Sequence, residues 1–304
     1  MTSGSVIGIA VIMIVFAGPL SLALAGRSKA LRTSPASGRI IAWNLKLTVM
    51  STLMYVVAFN FTFFIQELFL VLPKAFTPGL RPTLFHNNHS WDGSNPLASL
   101  FQGAGALATL LSGGVCAILL GSGVGRSVAQ RLFLFWMAYS GMFMALPQIV
   151  IGALSDQSDI GMAMAYFGLD ITSKTLAALV ALALIPLTAV WLSSLLLGQL
   201  GGPVLSANAN GRQHFVFGTA TLPALLALPL ITLFRIPREW IEVLLVPMVV
   251  SVVGVVWIQA GAWRSGGKAV GDNAVTGSLA SPLVAVLSLL LIFQLLLRPG
   301  IRFY

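Results

Sequence analysis

The chain has 304 residues, 57% of them hydrophobic and only 8% charged, with a mean hydropathy of +0.94 and a formal charge of +9. About a quarter of a soluble domain is charged, and no water-soluble fold of this length hides so much apolar surface. A soluble globule is therefore excluded. The excess of Lys and Arg would suggest nucleic acid in a soluble protein. Here those residues sit almost entirely between or beside apolar runs, where they meet lipid headgroups, so no nucleic-acid partner is expected.

Eight apolar runs follow in order: Ser5–Ala25, Val49–Leu72, Leu97–Gly121, Leu132–Leu154, Leu176–Leu197, Phe215–Phe234, Trp240–Trp263 and Ser281–Leu297. A helix crosses the hydrocarbon layer with about 20 residues. The runs are longer than the alternating segments of roughly 10 residues in a membrane β-barrel, and apolar all round. The expected fold is all-α: a polytopic transmembrane helix bundle of about eight spans, with seven or nine as alternatives. It forms one membrane domain over 1–304, and 73–96 is its longest link.

The first run has a signal-peptide-like ending in Leu22-Ala23-Leu24-Ala25. Its leading residues carry no basic side chain, and Arg27, Lys29 and Arg32 follow it, so a retained span is the expectation. With Arg39 and Lys46 these make the first link the most basic, which places it in the cytoplasm and the N-terminus outside. The 73–96 and 155–174 links then face outward, and the expected home is a bacterial inner membrane. The lone cysteine, Cys116, lies inside a run and excludes an intrachain disulfide.

Several polar groups fall inside or beside the runs. Glu67, with Gln66 beside it and Asn60 nearer the middle, is the carboxylate placed at membrane depth. A charge at the bilayer centre costs roughly 2.5–3.5 kcal/mol on insertion scales, so such groups face the bundle interior or water. Two readings stand, proton or cation handling and a snorkelling helix end before Pro73. In the longest link, His86, His89 and Asp92 are spaced three apart. On a helical turn they would share a face, and with Glu67 they would suit zinc or another divalent ion. The alternative is a proline-shaped interfacial loop anchored by Trp91.

The third run repeats small residues four apart, Ala104, Ala108, Ser112 and Gly105, Thr109, Gly113, which favours close backbone approach and a central position. The stretch Phe101-Gln102-Gly103-Ala104-Gly105-Ala106-Leu107-Ala108, ending Leu111-Ser112-Gly113-Gly114, resembles the active-site helix of site-2-type membrane metalloproteases. That family carries HExxH followed by Ala-Leu-Ala and a Gly pair. Phe101, Gln102 and Gly105 stand at the His, Glu and His positions, so the resemblance covers about 15 residues and implies at most a non-catalytic relative. Asp159-Ile160-Gly161 is a faint echo of the family's later Asp-Gly motif.

The fourth run carries Ser140, Met144 and Gln148 at helical spacing, with Pro147 beside them. Such a stripe suits either a solvated cavity or hydrogen bonding between helices. Asp156, Asp159 and Asp170 form an acidic patch near Lys174, or cap the flanking helices. Methionines clustered from Met137 to Met164 hint at copper or fill gaps in packing. Arg235-Ile236-Pro237-Arg238-Glu239-Trp240 reads as a tight turn, and Pro186, Pro223, Pro229 and Pro247 as potential kinks.

Three functions fit. The first is a small permease or ion-coupled carrier using Asn60, Gln66, Glu67, Gln102, Ser140 and Gln148. The second is a non-catalytic scaffold or complex subunit with a membrane-protein partner or a second copy of itself. The third is a metal-dependent membrane enzyme centred on His86, His89, Asp92 and Glu67.

Overall fold

The computed structural model describes residues 3–33, 43–201, 209–237, 240–263 and 277–304. Arg39, and Arg238 and Glu239 of the expected turn, lie outside them. Among the described residues, eight helices are long and apolar enough to cross a membrane: Ser3–Lys29, Leu45–Ala75, Leu97–Gly121, Val128–Leu154, Ile171–Leu200, Ala209–Arg235, Val243–Gly261 and Ala280–Leu297. The protein is an all-α polytopic bundle. Polar residues at the helix starts define several ends. Asn44 Oδ1 accepts the Leu47 N–H at 3.0 Å, Ser127 and Gln130 form a capping box, and Asp170 Oδ1 accepts the Ser173 N–H at 2.9 Å.

The two long links at one end of the bundle are structured. Residues 73–96 form an antiparallel hairpin of β1 (Leu80–Leu84) and β2 (His89–Gly93), with Leu80 opposite Gly93 and Leu84 opposite His89. A Cβ on Gly93, at φ +96°, would strike the Gly79 carbonyl, so glycine is what lets the hairpin close there. After the eighth span, β3 (Ile301–Arg302) pairs antiparallel with the other edge of β1. Six spans separate β1 from β3. An even number returns the chain to the same membrane face, so this pairing is consistent with the span count. The second structured link holds a short helix, Asp159–Tyr166, capped by Ser158.

The centre of the bundle differs from expectation. The fourth and second spans are the most enclosed, with 72% and 61% of their apolar windows buried, against 33% for the third. The third span's small residues serve one face only. Gly113 meets Gly141 of the fourth span, while Leu107, Leu111, Val115 and Ile118 on the other side are exposed to the lipid. Between the second and fourth spans lies an aromatic core of Tyr55, Phe59, Phe135, Trp136, Tyr139 and Phe143, all fully buried. The Tyr55 and Trp136 ring centroids are 4.2 Å apart, and the Tyr139 hydroxyl donates to the Val250 carbonyl at 2.7 Å.

The prolines act at two kinds of place. Pro147, Pro186 and Pro229 sit inside continuous helices, as does Pro73 near the end of the second span. Pro223 and Pro247 open helical segments that follow wide i→i+5 turns at Phe217–Thr221 and Ile241–Leu245, where their missing N–H is least costly. The first of these wide turns leaves carbonyls that side chains of the second span collect. Thr48 Oγ1 donates to Gly218 O at 2.7 Å, and Ser51 Oγ to Thr219 O at 2.6 Å. The first span leans on the seventh, where Gly18 accommodates the Trp257 ring and Gly26 the base of Trp263.

A methyl group tests the third-to-fourth span contact. In Gly141→Ala the new Cβ would lie 2.4 Å from the Thr109 carbonyl oxygen. Overpacking of this kind costs roughly 1–3 kcal/mol, so the melting temperature in detergent should fall. Gly114→Ala, whose Cβ meets nothing within 4 Å, should leave it unchanged.

Candidate functional site

The hairpin end of the bundle gathers a buried polar cluster from five elements. The second span supplies Gln66, Glu67 and Lys74, which lie on one face because a helix repeats at three to four and at seven residues. Glu67 is 5% exposed and Lys74 fully buried, although Lys74 stands near the helix end. Strand β2 supplies His89 and Trp91, the third span Gln102, the fourth Gln148, and the short helix Asp159.

Strand geometry explains which loop residues arrive. Successive side chains of β2 alternate between faces, so His89 and Trp91 turn toward the bundle while Ser90 and Asp92 are exposed. This overturns the shared helical face expected for His86, His89 and Asp92. His86 is buried in the hairpin loop and Asp92 is exposed, its backbone paired with Arg81. Among the described residues no group of three or more His, Cys, Asp or Glu side chains assembles that could hold a metal ion. The divalent-ion site of Glu67, His86, His89 and Asp92 does not form, and only its Glu67–His89 half comes together.

That half is tightly built. His89 Nδ1 lies 2.8 Å from Glu67 Oε2, and His89 Nε2 lies 3.1 Å from Gln102 Oε1. The same Gln102 oxygen accepts a hydrogen bond from Lys74 Nζ at 2.8 Å, and that ammonium also donates to Leu70 O at 2.8 Å. It sits 4.4 Å from the Trp91 ring centroid, and Trp91 stacks on His89 with ring planes 13° apart. Trp91 is thus a wall of the cluster rather than the headgroup anchor expected from the sequence. Gly105 of the third span makes the approach possible. A Cβ there would lie 2.7 Å from Leu70 Cγ and 3.0 Å from the Gln66 carbonyl. Gln102, one turn earlier, then reaches Lys74 and His89.

The hydrogen bonds constrain the protons. The Gln102 oxygen faces an ammonium, which has donors only, so that oxygen is the end of the amide turned toward His89 Nε2. Nε2 must then carry a hydrogen. Nδ1 either donates to an ionised Glu67 or accepts from a protonated one. In both forms the Glu67–His89 pair holds one proton between its two groups. Removing it leaves two acceptors facing each other in either neutral tautomer, at Nδ1 against Glu67 or at Nε2 against Gln102.

The other candidate residues fall into place around this pair. Gln148 Nε2 donates to Gln66 Oε1 at 2.8 Å, joining the fourth span to the second beside the cluster. Asn60 turns back on its own helix, donating to Val56 O at 2.8 Å. Ser140 is fully buried, and its hydroxyl has no hydrogen-bond partner among the described residues. Met137, Met142, Met144 and Met164 are buried packing residues. The expected acidic patch separates into three roles. Asp156 pairs with Lys174 at 2.6 Å. Asp170 caps the fifth span, and its bonds from Ser173 lower its pKa. Asp159 turns toward the cluster, and burial raises its pKa, helped by the Glu67 charge and opposed by His89 and Lys74.

Lys74, Trp91 and Asp159 were the members that sequence reading did not assign to the site. The available signal for Lys74 was its place seven residues beyond Glu67, on the same helical face. A groove of about 340 Å³ lies between the sixth and seventh spans, lined by Leu228, Pro229, Thr232, Leu244, Pro247 and Met248. Neither Glu67 nor Gln148 lines it. Compared with known proteins, the chain matches no family model, no curated protein and no solved structure.

Asp159 makes stability depend on pH. Its folded pKa lies above the ordinary aspartate value, so its contribution is complete below that value and is lost as pH rises through the folded pKa. Glu67, His89 and Lys74 are the charged groups that face it. Asp159→Asn should remove this loss. Melting temperatures of wild type and variant, compared at about pH 4 and about pH 8, should diverge in the variant's favour at the higher pH.

Proposed function

We propose that this integral membrane protein is a small ion-coupled carrier, and that Glu67 and His89 form its proton-binding site. The observation that carries the reading is the pair itself: a carboxylate and an imidazole in contact at 2.8 Å, each side chain about 7% exposed, with an acceptor at both imidazole nitrogens. Loss of the proton sets like dipoles against each other in a site sheltered from water, where such contacts are costly. His89 rides on the hairpin and Glu67 on the second span, so proton release loosens the hairpin from the bundle. Proton binding closes it. A membrane carrier needs such a link between ion occupancy and conformation.

We place the hairpin outside the cell, since ten Lys and Arg fall in the opposite links against seven on this side. Three of those seven, Lys74, Lys174 and Arg235, are buried in protein rather than set among headgroups.

The chain has only three histidines, so ¹⁵N NMR of histidine-labelled protein resolves His89, with His89→Gln as the assignment control. In wild type, one step in the His89 ring shifts should accompany a rise in hairpin amide exchange, corrected for intrinsic rate. Glu67→Gln should abolish both the step and the pH dependence of exchange. A His89 that never titrates, or a hairpin whose corrected exchange is the same on both sides of the step, overturns the reading.

A further inference from the structure

The Glu67–His89 pair lies near one membrane face, and the second and fourth spans carry polar side chains from there toward the other. On the fourth span, Trp136, Ser140, Met144 and Gln148 form one i, i+4 stripe. Both ends of this stripe hydrogen-bond to the second span. Trp136 Nε1 donates to Ser51 Oγ at 2.9 Å, and Gln148 donates to Gln66 at 2.8 Å. Ser140 therefore sits on the seam between the two helices, between those anchor points.

The polar groups at each end are already engaged. From the far face, Trp43 Nε1 donates to Thr48 Oγ1 at 3.0 Å, and Tyr55 and Ser251 share a hydrogen bond of 2.7 Å. At the near end stand Gln66, Gln148 and the proton site. Tyr55 and Gln66 are separated by roughly 16 Å along the helix at 1.5 Å per residue. Within that interval the second span offers Asn60 and Thr62. Thr62 reaches only the weak acceptor Met137 Sδ, at 3.5 Å, and Phe59 and Phe63 fill the rest. Ser140 is fully buried at this level with an orphaned hydroxyl. Buried hydroxyls are almost always satisfied, by protein or by ordered water, and a buried water itself needs two to four polar partners.

We propose that the seam between the second and fourth spans is a water-holding proton path, with the Ser140 hydroxyl as its middle step, connecting the Glu67–His89 pair to the opposite membrane face. The inference rests on the proton-site reading and extends it, because the pair then communicates with both sides of the membrane. A hydroxyl accepts one hydrogen bond and donates another, so a proton handed along the chain leaves Ser140 chemically unchanged. The Phe59 and Phe63 rings limit wetting of the seam, which keeps the path from being an open pore.

The test uses the full chain in phosphatidylethanolamine–phosphatidylglycerol vesicles loaded with a pH-sensitive dye. A potassium gradient with valinomycin drives proton entry. Wild type should acidify the lumen faster than empty vesicles, because the hairpin closes on proton binding alone and protons therefore slip through without a coupled solute. Ser140→Ala should lower that rate about 100-fold, or to the empty-vesicle leak if that is reached first, the low end for loss of a positioned proton-transfer group. Ser140→Cys, which keeps a weak donor of similar size, should fall between. The His89 ¹⁵N step must be unchanged in both variants, which separates loss of the path from loss of the fold. Ser140→Ala conducting like wild type overturns the path. So does wild type conducting no faster than empty vesicles while His89 still titrates, since the site then serves one face only and the proton-site reading survives. If His89 does not titrate in wild type, both fall together.

Discussion

A bilayer core offers no water to a stray polar group, and this requirement organises the bundle more than any single contact. The second span illustrates it. Its buried face carries Thr48, Ser51, Tyr55, Asn60, Thr62, Gln66, Glu67 and Lys74, and hydrogen bonds tie each of them to backbone, to a neighbouring span or to the hairpin. Carbonyls released by the wide turn at Phe217–Thr221 would be expensive in lipid. They are tolerable because hydroxyls from the adjacent helix reach them.

The same requirement shapes the hairpin end. A buried ammonium such as Lys74 persists only with compensation, and here it has a backbone carbonyl, an amide oxygen and an aromatic face. By occupying the Gln102 oxygen, Lys74 also fixes which way that amide points, and so which protons His89 carries. Its part is therefore electrostatic and orientational. The strand pairing supports this arrangement mechanically. Strand β1 is held by β2 on one edge and β3 on the other, so the segment bearing His89 is tied to the end of the eighth span.

Small and large residues divide the packing work. Glycines at 105, 113 and 141 bring the third span against the second and fourth, while rings at 55, 136 and 139 pack where the second and fourth spans meet the seventh. Close approach at Gly105 is what places Gln102 within reach of the cluster. The small-residue stripe thus matters to the site through position rather than through any chemistry of its own. The stretch 101–114 contributes an amide, Gln102, and backbone clearance.

Much of this was legible in one dimension. Span number, helical class and the choice of Glu67 and Gln66 as inward-facing groups follow from run length and the cost of charge in hydrocarbon, both of which are local properties of the chain. Gln148 was legible as a stripe member, though its partner was not. What only the tertiary structure decided depends on how elements rotate and pair. The 80–93 segment is a hairpin rather than a helical turn, so His89 and Asp92 point to opposite sides and the expected metal site dissolves. The third span is peripheral because a stripe of small residues specifies one close face and says nothing about the other. Asp159 read as a helix cap and Lys74 as one residue of a link until distant segments closed over them. Hydropathy records what a residue costs in lipid, but its partner is set by register, rotation and approach distance between spans far apart in sequence.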